Sequence, residues 1–152
     1  MTVRTTAGTT LRVSAATPAT FTVTGYEALT FSAVGEITDM GEFGREYTLV
    51  THNPIANRGT QKFKGSFNEG QMTLQLGLDT DDAGQIIMKA GALSDADYSF
   101  EVTTQNGDKY FFQAKVMSFR LSVGNVDQIT TATCMLELTT SASGVGIVEK
   151  LA

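Results

Sequence analysis

A strict two-residue alternation in the middle of the chain is the feature that most constrains its fold. Within residues 70–79, every second position is apolar, and the positions between them are polar or small. The side chains of a strand point alternately to opposite faces, so this segment predicts a strand with one buried and one solvated face, as in antiparallel sheets. The apolar positions are Met72, Leu74, Leu76 and Leu78.

Other segments supply the partners that such a strand needs. Two features indicate how these segments pair. The first is Asn106-Gly107, whose two residues tolerate positive φ and predict a tight hairpin turn. In the long strand 109–123, the apolar parity switches near Val116-Met117, which predicts a β-bulge there. The remaining predicted strands are 10–14, 21–24, 29–37 (of uncertain register and broken near Gly35), 97–104 and 127–139.

One helix follows the central strand. Asp79 or Thr80 can cap it, and Gly91 suits the left-handed position after its last turn. Its predicted apolar stripe consists of Ala83, Ile86, Ile87 and Ala90. We therefore expect a mainly β fold, an antiparallel β-sandwich or barrel flanked by one α-helix, with a long extended hairpin loop. The expected core is Met72, Leu74, Leu76, Ile86, Tyr98, Phe100, Phe112, Phe119 and Leu136.

The long hairpin is a distinct feature of residues 39–69. Two strands, 45–51 and 61–67, flank a loop, and Phe63, Gly65 and Phe67 are expected on one face. Isolated two-stranded hairpins are marginal in water, so we expect this arm to be mobile in the monomer and ordered by a partner. Its acidic and basic runs either face each other within the hairpin, meet opposite charge on another subunit, or are ordinary solvated surface.

Length and charge limit the remaining possibilities. The chain has 152 residues, which fits a single domain spanning 1–152, with a flexible segment 1–9, a long loop 40–68 and a tail 140–152 that docks on a neighbour. Its net charge is −5, and no basic patch offers the counterion release that a DNA grip requires. No apolar run approaches a membrane span, and no signal-like core follows the N-terminus, so we expect no membrane partner.

Residues for catalysis or metal binding are scarce. His52 is the only histidine and lies on the predicted loop, and Cys134 is the only cysteine. No nucleophile elbow accompanies them, and neither a zinc site nor a nucleotide fingerprint can be built. The aspartates near residue 80 lack the rest of a calcium loop. We expect no enzyme activity, no catalytic residue, no metal and no cofactor.

Several segments, in order, resemble the tail tube (major tail) protein family of long non-contractile phage tails. The likeness covers most of residues 8–140, with Ala114 standing where the family often has glycine. The segments are Gly8–Val13, Val34–Glu42, Gly65–Leu78, Asp82–Gln85, Phe100–Ala114 and Val126-Asp127.

This resemblance implies a non-enzymatic virion protein, in the host cytoplasm before assembly. Such proteins form hexameric rings whose strands join into an inner barrel, and the rings stack on the length-setting tape-measure protein. The long loop reaches a neighbouring subunit or ring, tail-end proteins are further partners, and DNA passes an acidic lumen without specific binding.

Two sets of residues follow as candidates for these roles. Aromatic and apolar residues without a local core tend to be interface anchors, and the arm supplies Phe43, Tyr47, Leu49, Ile55, Phe63 and Phe67. Acidic candidates for the lumen are Glu36, Asp39, Glu42 and Glu46. The alternatives are a related sandwich assembly protein (a tail terminator, a distal tail ring or a secretion-tube subunit) and, ranked below it for want of tryptophan and of aligned surface aromatics, a carbohydrate-binding module.

Overall fold

The computed structural model describes residues 3–152, and most of its secondary structure is β. The strands are β1 (Thr10–Ser14), β2 (Ser32–Ala33), β3 (Ile37–Asp39), β4 (Glu46–His52), β5 (Gln61–Asn68), β6 (Gln71–Gly77), β7 (Tyr98–Thr103), β8 (Lys109–Ser122), β9 (Thr131–Thr139) and β10 (Val148–Lys150). The helices are α1 (Val23–Glu27) and α2 (Ala83–Ala92).

One curled antiparallel sheet of eight strands forms the body. Its order is β2-β1-β7-β8-β9-β6-β3, with β10 joined to β8. The strands β4 and β5 form a separate two-stranded sheet, which we call the arm. The predicted fold class, a mainly antiparallel β fold with a flanking helix and a long hairpin, is confirmed.

The main core lies on the concave side of the sheet, under α2. Alternate residues of β6 and β9 fill it, as the alternation predicts, because their paired positions point the same way. Of the expected core residues, most are buried, Phe119 is half-buried, and Ile86 is exposed. The fully buried set includes Leu11, Met72, Leu74, Leu76, Met88, Phe100, Phe112, Cys134 and Leu136.

The long strand β8 is buried on both faces in its first half. Phe112 stacks on Phe100 in the main core, while Phe111 stacks on Tyr26 in a second, smaller cluster. Both faces of the sheet are therefore apolar along the first half of β8. The predicted β-bulge is confirmed: β8–β9 pairing passes from Val116↔Leu136 to Ser118↔Met135 and leaves Met117 as the extra residue.

The prediction of a strand at 21–24 is wrong: Thr22 caps the short helix α1 by accepting a hydrogen bond from Gly25 N–H. The predicted break of the strand 29–37 near Gly35 is confirmed, because β2 and β3 are separate strands, and Glu36 between them has a positive φ of 62°. The tail 140–152 contains β10, which pairs with this chain's own β8. Of the segment 1–9, residues 1–2 lie outside the described residues, and the rest runs over the surface.

Helix α2 packs with a different face from the predicted stripe. Its buried residues are Gly84, Gln85, Met88 and Gly91, whereas Ile86 is exposed. Glycines permit the close approach: a Cβ on Gly84 would meet the Ala33 carbonyl, and one on Gly91 would meet Tyr98 and Val116. Gly91 lies inside the helix, not in the left-handed position after it; Leu93 is the C-cap residue.

A buried amide fastens α2 to the sheet. Gln85 is 2% exposed; its side-chain NH₂ donates to the carbonyls of Gly35 and Gly77, both at 3.0 Å, and its Oε1 accepts from Asp79 N–H. Asp82, the true N-cap, accepts from the N–H groups of Gln85 and Gly35. These bonds satisfy the backbone where the chain approaches β3 and where it leaves β6.

Replacing Gln85 with leucine tests this fastening. The change keeps the volume but leaves two carbonyls and one N–H without their partner, and each unsatisfied buried group costs roughly 1–3 kcal/mol. We expect the free energy of unfolding to fall by at least about 2 kcal/mol in urea titrations. Gln71→Leu, at an exposed position of β6, is the matched control and should change stability by less than about 0.5 kcal/mol.

Candidate assembly surface

The arm projects from the body and pairs only with itself. Every residue of β4 is exposed, and β5 is exposed except at Gly65 and Phe67. Several of its exposed side chains are apolar: Leu49 is 63% exposed, Phe63 is 54% exposed and Ile55, at the tip, is fully exposed. Apolar side chains on a two-stranded ribbon gain little burial from their own chain. The arm is therefore the first candidate for a contact surface.

A bulge in β5 decides which residues share a face of the arm. Tyr47 pairs with Phe67, but Leu49 pairs with Lys64, so one extra residue of β5 lies between these pairs. Phe63 pairs with Val50 and therefore points away from Phe67. The prediction that Phe63, Gly65 and Phe67 share one face is wrong, because the bulge reverses the side-chain parity.

The two faces of the arm differ in chemistry. One carries Tyr47 and Leu49 with Lys62 and Lys64, and Lys64 Nζ lies 4.7 Å from the centre of the Tyr47 ring. The other carries the apolar pair Val50–Phe63. Among the residues that the structure describes, no acidic side chain lies within 4 Å of Lys62, Lys64 or Arg58 to form an ion pair. The basic run of the hairpin therefore does not pair with its acidic run within this chain.

The root of the arm is held by one arginine. Arg45 Nε donates to Glu69 Oε1 at 2.8 Å, and Glu69 is 2% exposed. The guanidinium lies 3.8 Å from the centre of the Phe67 ring, which packs edge-on against Tyr47. Hydrogen bonds to Tyr47 and then to Glu69 raise the pKa of Arg45 above its usual value. These contacts fix the direction in which the arm leaves the body.

Phe43 has a different role from the other five arm candidates. It is half-buried and packs against Phe112 at 5.4 Å and Tyr110 at 6.0 Å between ring centres. It therefore anchors the segment that leads into the arm on this chain's own core. Phe67 is likewise half-buried, at the root. Tyr47, Leu49, Ile55 and Phe63 remain exposed, and their role in subunit contact stays a prediction.

The four acidic candidates are all exposed but do not form one patch. Glu42 and Glu46 line a concavity at the arm root, which Glu137 of β9 also lines. Glu36 immediately precedes β3, and Asp39 is the last residue of β3, at the far edge of the sheet. The Asp39 carboxylate accepts a hydrogen bond from Gly41 N–H. Glu137 was not predicted as part of this concavity, because it lies far from Glu42 in the sequence and comes close to it only when β9 is placed in the sheet. Whether these carboxylates face a lumen stays a prediction.

A second surface, a groove between α2 and the far half of β8, was not predicted from the sequence. It has a volume of about 420 Å³ and an almost wholly apolar lining. Beyond the bulge, Phe119 and Leu121 pair with Cys134 and Ala132 and so lie on the core side of the sheet, but α2 does not cover them. Exposed residues of α2, Ile86 and Leu93, form the opposite wall.

The groups that could support chemistry are unsuited to it. Cys134 is buried, and burial raises the pKa of its thiol to about 12, so it stays protonated at neutral pH. His52 is exposed on the arm. Within residues 3–152, no three His, Cys, Asp or Glu side chains come together as a metal site. The helices in this range are too short or too polar to cross a membrane.

Comparisons with known proteins find relatives of the fold alone. No protein-family model and no curated protein matches the chain. Among solved structures, a chain of the baseplate of the anti-feeding prophage superposes with a TM-score of 0.66 at 9% identity, covering 91% of this chain and 93% of that one. The sheath/tube terminator of the PVC extracellular contractile injection system superposes with a TM-score of 0.65 at 8% identity, covering 99% of each chain. At these identities the likeness establishes a shared fold.

The arm root yields a prediction about dynamics. Arg45→Leu removes the partner of the buried Glu69 carboxylate and the cation over Phe67. We expect amide hydrogen exchange across 46–68 to accelerate while β6, β8 and β9 keep their protection. Arg45→Lys, which retains the charge but not the planar stacking, should give an intermediate result. Equal protection of the arm in all three proteins would show that Arg45 does not hold it.

The buried thiol yields a second prediction. Because Cys134 is fully buried and its pKa is raised to about 12, a thiol reagent at pH 8 should label the folded protein far more slowly than the urea-unfolded chain. We expect at least a hundredfold difference, since labelling of the native state requires opening of the β6–β9 core. Rapid labelling of the folded protein would contradict the packing of β9.

Proposed function

We propose that this protein is a structural subunit of a phage-type tail that assembles from copies of itself into hexameric rings, which stack into a tube for DNA. The observation that carries the proposal is the arm: a fixed root, an exposed ribbon and apolar side chains that its own chain leaves in water. A subunit that works alone would gain nothing from exposing Leu49, Ile55 and Phe63.

Two further observations support the proposal. Of the solved structures compared above, one is a chain of a prophage baseplate and another is the sheath/tube terminator of a contractile injection system. Among the described residues, no cluster of His, Cys, Asp or Glu could hold a metal ion, and Cys134 is a buried thiol with a raised pKa. We infer that the protein is not an enzyme, and that its partners are copies of itself, a tape-measure protein and tail-end proteins within the virion.

The proposed lumen follows from charge. Carboxylates repel the phosphate backbone, so an acidic wall lets DNA move without adhering. Glu36, Asp39, Glu42 and Glu46 are all exposed and available for such a wall. The net charge of −5 agrees with a conduit that does not bind its cargo.

A tail terminator is the second candidate, and one observation favours it. The PVC terminator matches this chain over 99% of both lengths, so its whole fold corresponds without insertion of a further domain. A terminator and a tube subunit differ in whether rings stack. A terminator forms one ring at the end of a tube, whereas a tube subunit adds ring upon ring.

Electron microscopy of the purified protein tests the function. We expect stacked rings or tubes in negative stain once the protein is concentrated, with sixfold symmetry in end views. Single sixfold rings that never stack would replace the tube with the terminator. A protein that stays monomeric at millimolar concentration would overturn self-assembly altogether.

The arm should control this assembly. Phe63→Ser removes an exposed aromatic side chain that the monomer's own core does not use, so the fold should be retained. We expect the concentration needed for assembly, measured by sedimentation, to rise at least tenfold, because central aromatic anchors of interfaces are worth roughly 2 kcal/mol or more. Gln61→Ser, two residues away on the same strand, is the control and should assemble like the unaltered protein.

A further inference from the structure

The groove between α2 and β8 continues the apolar surface of the core beyond the part that α2 covers. Phe119 and Leu121 point to the side of the sheet that α2 covers elsewhere. Leu93 is 90% exposed on the opposite wall, and Leu78 also lines the groove. An almost purely apolar cleft of this kind is stabilised when an apolar ribbon or side chain fills it.

The charge of the chain is divided between the arm and the body. Residues 46–68, which span the arm, contain Arg58, Lys62 and Lys64 and one carboxylate, Glu46. The arm therefore carries a net charge of +2, and since the chain carries −5, everything else carries −7. The arm and the body of two copies therefore attract each other, whereas two bodies or two arms repel.

Part of the acidic charge of the body lies at the groove. Asp79 lines the groove itself, and Asp81 donates its N–H to Asp79 Oδ1 at 3.0 Å. Both carboxylates are exposed, and neither forms an ion pair with another residue in the described range 3–152. Lys89 also lines the groove, so the groove combines an apolar floor with two carboxylates and one ammonium group at its margin.

The arm has the complementary combination. Val50 and Phe63 form an apolar face, Ile55 extends it at the tip, and the cation Arg58 follows in the same exposed tip loop. Lys62 and Lys64 lie on the opposite face of the ribbon, with Tyr47 and Leu49. The same chain's arm does not fill its groove, because Ile55 is fully exposed and Phe63 is 54% exposed. An occupant with this chemistry is therefore available from a second copy.

We propose that the arm of one copy seats in the α2–β8 groove of the next copy, with Ile55 and the Val50–Phe63 face on the apolar floor and Arg58 of the tip loop beside the Asp79–Asp81 carboxylates. The contact joins two different surfaces of the same chain, so it runs head to tail and each copy offers one free arm and one free groove. The inference rests on the proposed function, because it requires self-association, and it adds the surface that receives the arm.

Cysteine pairing between two differently tagged chains tests the contact. One chain carries Ile55→Cys and the other, with an added mass tag, carries Leu93→Cys; the native Cys134 is buried and does not compete. Under mild oxidation we expect a disulfide-linked mixed dimer at least about tenfold more abundant than with Val126→Cys as the second chain. Val126 is the matched control, being 96% exposed and outside the groove.

A charge exchange tests the Asp79–Asp81 carboxylates separately. Arg58→Glu in the arm chain should reduce the mixed dimer at least tenfold, and Asp79→Lys with Asp81→Lys in the groove chain should restore it. Circular dichroism spectra of each variant establish that the body is folded. Raising the salt concentration should weaken the unaltered pair, because both partners of this charge contact are exposed.

The outcomes separate this inference from the proposed function. Rings or tubes with equal cross-linking at Leu93 and Val126, or with none, would overturn the groove as the receptor and leave self-assembly standing. Selective cross-linking at Leu93 without any ring or tube in electron micrographs would retain the groove contact and overturn the tail-subunit function. Failure of charge exchange to restore a selective cross-link would remove the Asp79–Asp81 carboxylates from the contact.

Discussion

The pairing of β8 with β9 is the constraint on which both the body and its free surfaces depend. Before the bulge at Met117, β8 is flanked on both sides by strands and buried on both faces, so it forms the centre of the two apolar clusters. After the bulge it keeps only β9, and its core-side residues Phe119 and Leu121 extend beyond the cover of α2. One continuous strand therefore contributes to the interior in its first half and to an exposed apolar groove in its second.

Much of the sheet could be predicted from the sequence because alternation reports directly on a half-buried strand. Strand β6, the Asn106-Gly107 turn and the bulge near Met117 all follow from local spacing. The errors have local causes as well. Segment 21–24 is too short for its period to distinguish strand from helix. The buried face of α2 was misjudged because its closest contacts are made by Gly84 and Gly91, whose small size, and not their hydrophobicity, permits burial.

The candidate surfaces could be predicted only in part. The arm was recognisable as a hairpin with few apolar residues, but the faces of Phe63 and Phe67 depend on an extra residue in β5 that no alternation reveals. The Arg45–Glu69 pair joins the residue before β4 to the residue after β5. It could not be predicted from the sequence, because these residues meet only when the two strands pair. The groove could not be predicted from any local sequence pattern, because its walls come from separate parts of the chain: α2, β8 and Leu78.

The division of charge limits how such subunits can meet. Bodies that share a strong negative charge repel, so a body-to-body contact must be driven by apolar area or backbone pairing strong enough to overcome that repulsion. A cationic arm that crosses to the next body reduces the repulsion at the point of contact, and it leaves the carboxylates of the remaining surface free. The same arrangement would hold neighbours together and keep the rest of the assembly acidic, which is the condition under which DNA can pass along a protein wall without being held by it.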